Sequence, residues 1–310
     1  MKAIEGKLEA WYKKITVVPK IKSLLKPGES SEDEVIEKWM RYEGSVGKIR
    51  ISEGYPVTSF RDLINEVALV TIRNRQYEMF YRGQNVDFRS SATYRSQEPK
   101  TIVYPSIYRP ERKPDGTYKA SIRKETIQAR YAKLDKFLAE YPKTKSRPIE
   151  FYLALFQHYG ITETPLIDIT QSLRVAATFA LRNSPTGYLY VFGLPYPNQS
   201  ISHYYDLGII LIKLQNICTP EAYRPRYQEG FLVGRFPYDR NKDAGDNLAR
   251  RLIAKYKLDN SDGTFWDEGF PPMPEEVLFP TDDPMEGAMK SEAERILKGG
   301  KPPFRIAIKK

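Results

Sequence analysis

Residues 151–181, FYLALFQHYGITETPLIDITQSLRVAATFAL, predict a helix, a turn, a strand and a second helix in close succession, and this order is the main indication of the fold. Apolar residues at helical spacing precede Gly160, and glycine tolerates the conformation that ends a helix. A short apolar run around Leu166 predicts a buried strand, and a second helix begins near Gln171. Polar side chains crowd the joints: Gln157, His158, Tyr159, Asp168, Thr170 and Ser172. Because sites for small polar ligands form where loops leave buried elements, these joints are the first candidate site.

Composition restricts the class of protein that such a site serves. The chain has 310 residues, of which 41% are hydrophobic, enough for a substantial core in one large or two small domains. No apolar run approaches the roughly 20 residues of a membrane span, and MKAIEGKLEAWYKK at the N-terminus lacks the apolar segment of a secretory signal. We therefore expect a cytoplasmic protein without a membrane partner. Cys218 is the single cysteine and there are 2 histidines, so neither a disulfide nor a metal site is expected.

The net charge of +10 and the 22 tyrosines indicate an anionic partner. Basic side chains release counterions from phosphates, and exposed tyrosines stack on unpaired bases. The alternative is that the charge is ordinary for a basic protein and that most tyrosines pack in the core. Nucleic acid is thus one candidate partner at this stage.

The chain divides into a helical N-terminal accessory region, residues 1–75, and a second domain, residues 76–310. Ser31 and Glu34 form a capping box before an apolar helix stripe, and another helix is predicted after Thr58. The second domain opens with a strand at 77–83 that ends near Arg82. The further predictions are a polar loop at 84–116, a helix at 121–141, strands at 187–194, 209–214 and 304–309, and turn-rich or loop-like segments at 224–236 and 271–287.

Arg82, Gly83 and Gln84 combine a guanidinium with a backbone that a ligand can approach closely, and arginine suits bidentate contact with phosphate. The alternative for Arg82 is a surface ion pair. Asp168, Thr170 and Ser172 could equally cap the helix that begins near Gln171. These alternatives stay open from the residues alone.

The remaining candidates are His158 and the pair Gln228 and Glu229. A structural role is the better interpretation of His158 by itself. A carboxylate at Glu229 could bind a hydroxyl group or stabilise a developing cation, and an exposed salt bridge is the alternative. Glycine-rich phosphate loops, HExxH and GxSxG are absent from the sequence, and Cys218 has no histidine signature beside it.

Several short motifs resemble the FRG-domain family in their order along the chain. They are Tyr-Arg-Gly-Gln at 81–84, Pro-Ser-Ile-Tyr-Arg at 105–109, Gln-His-Tyr-Gly at 157–160, Leu-Ile-Asp-Ile-Thr-Gln-Ser at 166–172 and Arg-Tyr-Gln-Glu-Gly-Phe at 226–231. Tyr81 replaces the phenylalanine of the Phe-Arg-Gly motif. Where family members tend to read Pro-Thr-Arg-Leu-Leu-Asp, this chain has Thr164 and Pro165 before Leu166, so one arginine contact is missing.

FRG domains resemble ADP-ribosyltransferases, and this resemblance implies NAD as the substrate. In that larger fold one strand brings an arginine to NAD, a second leads through a Ser/Thr turn into a helix ending in Phe-Ala, and a third element brings Glu or Gln. Arg82, the Thr170–Ser172 turn with Phe179 and Ala180, and Gln228 or Glu229 match these positions. The family motif points to Gln228 and the chemistry to Glu229, so both are candidate catalytic residues together with Arg82.

The resemblance also implies roles for the other side chains. Arg82 would neutralise the NAD diphosphate, and the Gly83 backbone, between Tyr81 and Gln84, would hold the nicotinamide amide. Thr170 and Ser172 would brace the site beside Asp168, while His158 and Tyr159 would line the nicotinamide pocket. The predicted fold is α+β, with an ADP-ribosyltransferase-like split mixed β core, flanking helices and a helical N-terminal region.

For the acceptor we favour nucleic acid, RNA in particular, because splayed RNA bases reach a protein pocket more readily than stacked duplex bases. A protein acceptor is the alternative. Family members resemble toxins of toxin-antitoxin and phage-defence systems, which implies an antitoxin that docks on residues 1–75. Other hypotheses are an inactive nucleotide- or RNA-binding module and an enzyme that hydrolyses NAD without an acceptor.

Overall fold

A computed structural model describes residues 46–74, 76–91, 98–114, 116–119, 121–141, 147–241 and 247–299. The capping box at Ser31 and the strand predicted at 304–309 lie outside these residues. The described part of the accessory region contains helix α1 (Val46–Ile51), strand β1 (Tyr55–Val57) and helix α2 (Phe60–Arg73). The helix predicted after Thr58 is confirmed, and it begins where the Ser59 side chain accepts a hydrogen bond from the Asp62 amide.

The helix, turn, strand and helix predicted from residues 151–181 are confirmed. Helix α3 (Lys124–Glu140) precedes them, followed by α4 (Ile149–His158), β3 (Leu166–Thr170) and α5 (Leu173–Leu181). Gly160 follows α4 with φ 65°, a left-handed conformation that glycine adopts without a steric penalty. The apolar face of α4 packs on α3 in the largest hydrophobic cluster of the described residues, through Phe137 and Phe156.

Eight strands of the described residues form one sheet. Besides β1 and β3 they are β2 (Glu78–Gln84), β4 (Thr186–Leu194), β5 (Ile201–Tyr204), β6 (Ile209–Lys213), β7 (Gly230–Arg235) and β8 (Leu252–Asp259). Their order in the sheet is β1-β8-β4-β2-β3-β7-β6-β5. The β1–β8 pair is parallel and the other pairs are antiparallel, so the sheet is mixed. The mixed α/β architecture agrees with the predicted fold class at this level.

Two segments that the sequence analysis assigned to turns and loops are regular. Segment 224–236 contains most of the short helix α7 (Tyr223–Tyr227) and then strand β7, which pairs with both β3 and β6. Segment 271–287 contains α8 (Glu275–Leu278) and the start of α9 (Pro284–Leu297); a further short helix, α6 (Leu214–Ile217), follows β6. Pro284 does not prevent α9 because it occupies the first turn, where its missing amide is not needed.

The sheet opens between β2 and β3. These strands share one paired position, Tyr81 with Thr170, whereas β2 and β4 pair along seven residues. Continuing the register would place Gly83 opposite Asp168. Instead, the Arg82 side chain spans the gap and donates from Nη1 to the Asp168 carbonyl over 2.6 Å. This opening leaves the polar joints of the chain beside an accessible cleft. No helix of the described residues is long and apolar enough to cross a membrane.

Candidate functional site

A cleft lies where β2 and β3 separate, and its space together with its open mouth amounts to about 840 Å³. Its walls come from β2, β3, the C-terminal end of α4, one face of α5 and the turn that precedes β7. Of the residues predicted for the site, those that line it are Tyr81, Arg82, Gly83, His158, Tyr159, Asp168, Thr170 and Gln228. Gln84, Ser172 and Glu229 are not among the residues of its wall. The structure therefore brings most of the predicted set together.

Asp168 lies in the cleft wall and is fixed by two side chains from the end of α4. Gln157 donates from Nε2 to Asp168 Oδ2 over 2.7 Å, and His158 Nδ1 lies 3.1 Å from Oδ1. Behind them, the Thr164 hydroxyl donates to Gln157 Oε1 over 2.6 Å and thereby fixes the orientation of the amide. Burial raises the pKa of Asp168, but the hydrogen bonds from His158 and Gln157 and the nearby Arg82 cation outweigh it and lower the pKa. Asp168 is therefore ionised at neutral pH.

Arg82 is held in place and still keeps donors for a ligand. Its Nε donates to Gln84 Oε1 over 3.0 Å and its Nη1 to the Asp168 carbonyl, while Nη2 has no hydrogen-bond partner among the described residues. Burial lowers the pKa of Arg82 and the neighbouring Arg109 lowers it further, whereas Asp168 acts in the opposite direction. An arginine that is desolvated and only partly bonded by protein groups favours an anionic ligand.

Gly83 allows α5 to approach β2 closely. A Cβ atom at this position would lie 1.8 Å from the Ala176 carbonyl oxygen and 2.6 Å from the Ala180 nitrogen. The glycine motif therefore has a packing cause, in addition to leaving backbone exposed in the cleft wall. Tyr81 precedes it in the same strand, is 8% exposed, and has a pKa that burial raises to about 12.

Thr170, Ser172 and Gln228 join the β3–α5 turn to the turn before β7. Thr170 donates from Oγ1 to the Gln228 carbonyl over 2.8 Å and accepts from the Ser172 amide over 2.9 Å. The Ser172 side chain caps α5 by accepting from the Val175 amide, which confirms the capping alternative for this residue. Gln228 is buried and donates from Nε2 to the Leu278 carbonyl over 2.7 Å. Ser172 thus supports the site from outside the cleft.

Glu229 follows Gln228 but has a different environment. It is exposed, and its backbone has φ 46°, in the left-handed region that non-glycine residues seldom adopt. This conformation turns the chain sharply between α7 and β7. The structure thus places Gln228, and not Glu229, against the cleft.

His158 and Tyr159 contribute buried side chains to the cleft wall. The His158 side chain is 2% exposed, and its Nε2 atom has no hydrogen-bond partner among the described residues. The Tyr159 hydroxyl donates to Asp283 over 3.2 Å, and its ring meets the His158 ring edge-on. Burial raises the pKa of Tyr159, and the adjacent Asp283 carboxylate raises it further. Both rings are therefore fixed parts of the wall.

Arg224 is a residue of the cleft that the sequence analysis missed. Its guanidinium carbon lies 5.9 Å from the centre of the Tyr159 ring and 4.9 Å from that of Phe279. Its Nε is buried without a hydrogen-bond partner in the described ranges, and Nη1 lies 3.8 Å from Glu286 Oε1. Arg224 belongs to α7, in the segment assigned to turns, so no helical spacing pointed to it. The cleft therefore has two arginines, Arg82 and Arg224, in its walls.

A smaller pocket, about 290 Å³ including its open mouth, lies on the other side of Arg82. Gln84 and Arg109 line it with the Phe88 and Tyr118 side chains, whose rings meet edge-on with centres 5.4 Å apart. The predicted Gln84 thus lies beside the main cleft. In the ranges that the structure describes, no group of three or more His, Cys, Asp or Glu side chains is arranged to hold a metal ion.

Fold and site together define a mixed α/β protein with a cleft at an opening of its sheet, and two arginines lie in the walls of this cleft. The FRG domain model matches residues 78–187 of the chain, which supports the FRG-domain family for this segment. The matched segment runs from β2 to the start of β4 and contains Arg82, His158, Asp168 and Thr170, but not Gln228. No curated protein and no solved structure matches the chain.

Proposed function

We propose that the protein is an NAD-dependent ADP-ribosyltransferase. One observation carries the proposal: three separate elements converge on one cleft, at the opening between β2 and β3. They are the arginine strand with Arg82, the Thr170–Ser172 turn leading into α5, and the turn before β7 that carries Gln228. In the sheet β2 lies next to β3 and β3 next to β7, so the elements that carry these three motifs are neighbours.

The charges of the cleft support a dinucleotide with a diphosphate. Arg82 and Arg224 lie in its walls, and both have nitrogen atoms without hydrogen-bond partners among the described residues. A diphosphate between them would receive the charge-assisted hydrogen bonds that guanidinium groups make with phosphate. Gln228 would contact a ribose hydroxyl through its amide, and His158 and Tyr159 would form the wall beside the nicotinamide ring.

We propose nucleic acid, RNA in particular, as the acceptor. The net charge of +10 favours a polyanion, and Tyr227, 44% exposed, directly precedes Gln228. The Tyr223 and Tyr227 rings lie 6.2 Å apart beside the exposed Arg226. A splayed base stacked on Tyr227 would therefore lie near the cleft.

One experiment tests both the transferase activity and the choice of acceptor. The purified chain is incubated with NAD labelled in the adenylate moiety, together with cellular RNA or with protein extract. Label that nuclease removes supports a nucleic-acid acceptor, and label that protease removes replaces it with a protein. Free ADP-ribose formed equally with and without RNA indicates NAD hydrolysis. Arg82→Ala should abolish labelling, while Arg61→Ala, which removes an exposed arginine paired with Asp267, should leave it unchanged.

A binding module without transferase activity is the second candidate function. It is favoured by the environment of the two candidates for the third motif. The Gln228 amide donates to the Leu278 carbonyl, and the Glu229 carboxylate lies outside the cleft wall. This candidate predicts that the chain binds NAD or RNA but consumes no NAD. Retained RNA affinity with no release of nicotinamide would therefore replace the transferase proposal.

The proposed biological role is that of a cytoplasmic toxin in phage defence, silenced by an antitoxin protein. It rests on the family analogy alone. Expression of the chain in bacteria should arrest growth, and Arg82→Ala should relieve the arrest at equal protein level. Growth that is equal for both chains would contradict a toxic transferase activity.

A further inference from the structure

The proposed reaction needs a negative charge in the cleft, and neither Gln228 nor Glu229, the two candidates for the third motif, supplies it. When the bond between ribose C1′ and the nicotinamide nitrogen breaks, the electron pair leaves with nicotinamide and positive charge develops on the ribosyl group. Gln228 is uncharged, and Glu229 lies outside the cleft wall. Among the described residues that line the cleft, Asp168 is the single carboxylate.

The environment of Asp168 suits this task. Its side chain is 37% exposed although His158, which contacts it, is only 2% exposed, so the carboxylate is held from behind and open in front. Gln157, an uncharged donor, and His158 Nδ1 fix one oxygen each, at 2.7 and 3.1 Å. No described lysine or arginine side chain forms a direct ion pair with it, and Arg82 donates to its backbone carbonyl instead. A preorganised charge of this kind stabilises charge that develops in the transition state.

We propose that Asp168 is a catalytic residue whose carboxylate stabilises the ribosyl cation, with Gln157 and His158 as positioning residues. This inference rests on the proposed transferase function. The carboxylate forms no bond in the step. Nicotinamide departs with the electron pair, water or the acceptor attacks C1′, and the proton of the attacking group passes to solvent.

The test is the release of nicotinamide from NAD by the full chain, measured as kcat and KM separately. Asp168→Asn should lower kcat about 100-fold, the size typical for loss of one electrostatic group of an active site. Its KM should change by less than about threefold, because the charge acts on the transition state and not on bound NAD. Asp267→Asn, an exposed aspartate paired with Arg61, is the matched control and should behave as the parent chain.

A double variant separates charge from positioning. In Asp168→Asn/Gln157→Glu, the new amide donates to the new carboxylate, which still accepts from the Thr164 hydroxyl. The hydrogen-bond chain is therefore complete, while the negative charge moves from position 168 to position 157, which also lines the cleft. If the charge must lie at position 168, kcat should be as low as that of Asp168→Asn, with a thermal unfolding midpoint restored towards that of the parent.

Three outcomes would overturn the inference, and they are distinguishable. Parent-like kcat in Asp168→Asn would remove Asp168 from the reaction while the transferase function stands. Recovery of kcat in the double variant to within about threefold of the parent would show that the reaction does not need a negative charge at position 168. Absence of nicotinamide release by the parent chain would remove the proposed function together with this role.

Discussion

Two aspartates of this chain lie at the centre of hydrogen-bonded networks, and they differ in what faces their open side. Asp87 is 4% exposed and receives Lys255 Nζ at 3.0 Å, Arg89 Nε at 2.8 Å and the Tyr190 hydroxyl at 2.9 Å. Asp168 is 37% exposed and is fixed by Gln157 and His158, with the cleft in front. Asp87 is surrounded by protein donors, whereas Asp168 keeps one side open to a ligand.

The groups that surround a carboxylate, and not the residue type, therefore separate a structural aspartate from a candidate functional one. The Lys255 ammonium also donates to the Thr101 hydroxyl over 2.9 Å and to the Ser52 carbonyl, so its charge is used entirely within the protein. These contacts join β8 to Ser52, which precedes β2 in the chain, and to Asp87 and Thr101, which follow it. In the cleft, by comparison, Asp168 keeps an exposed side, and Arg82 and Arg224 each keep a nitrogen atom without a hydrogen-bond partner among the described residues.

Removal of the buried Lys255 ammonium should change the free energy of unfolding more than any other substitution proposed here. Lys255→Met should lower the free energy of unfolding by about 3–5 kcal/mol, because Asp87 then remains buried without its nearest lysine. Burial already lowers the pKa of Lys255 against the opposing effect of Asp87. Urea denaturation provides the measurement. Nicotinamide release by the folded fraction should stay within about twofold of the parent, since Lys255 does not line the cleft and is linked to Arg82 only through Asp87, Tyr190 and Gln84.

Lys257→Met is the matched control because it lies on the same strand with an exposed side chain. It should change the free energy of unfolding by less than about 0.5 kcal/mol. If Lys255→Met costs no more than this control, Arg89 and Tyr190 satisfy Asp87 without the lysine, and the contrast between the two networks disappears.

A smaller effect is expected behind the cleft, at Thr164. Thr164→Val should cost about 1–2 kcal/mol, because Gln157 Oε1 loses its donor at 2.6 Å and the Leu166 amide loses its acceptor. Thr162→Val is the control, since the Thr162 hydroxyl is buried without a hydrogen-bond partner among the described residues. Thr162→Val should therefore be neutral or stabilising in urea denaturation. Equal losses at both positions would mean that the Thr164 contact does not stabilise the network.

The sequence alone predicts the helix and strand that carry Asp168, Gln157 and His158. Residues 151–181 combine helical spacing, a helix-ending Gly160 and a short apolar strand, so local pattern and final structure agree. Arg82, His158, Asp168 and Thr170 lie at the ends or joints of those elements, which is why they could be grouped before the structure was known. Their convergence in one cleft follows from the pairing of β2 and β3 at a single position.

Other parts depend on contacts between distant segments. The burial of Lys255 depends on contacts with Asp87 and Thr101, because the alternating sequence of β8 gives Lys255 the same pattern as the exposed Lys257. Arg224 reaches the cleft only because Tyr159 and Phe279 enclose it from α4 and the end of α8. The exposure of Glu229 depends on its own left-handed backbone conformation, between α7 and β7. None of these features has a local signal.

The pH dependence of stability should also distinguish the cleft. The folded-state pKa of Asp168 is lowered, so its contribution is fully present above the ordinary value of 3.8 and is lost as pH falls through the folded value. The difference in free energy of unfolding between the parent and Asp168→Asn should thus narrow as the pH falls below about 4. Urea denaturation across this range measures it. Thr162→Val should show a difference that does not vary with pH, and a constant difference for Asp168→Asn would contradict the lowered pKa.

The smallest effect is expected at Glu229, where a backbone conformation and a candidate catalytic role can be separated. Glu229→Gly relieves the left-handed residue at φ 46° but adds freedom to the unfolded chain, so the free energy of unfolding should rise by only about 0.5 kcal/mol. Asn183→Gly, at φ 58°, should gain less because asparagine tolerates this conformation. Nicotinamide release should stay within about twofold of the parent, because Glu229 is exposed and absent from the cleft wall. A loss of more than about tenfold would instead mean that the carboxylate reaches the bound ligand, and the negative charge of the reaction would then belong to Glu229 and not to Asp168.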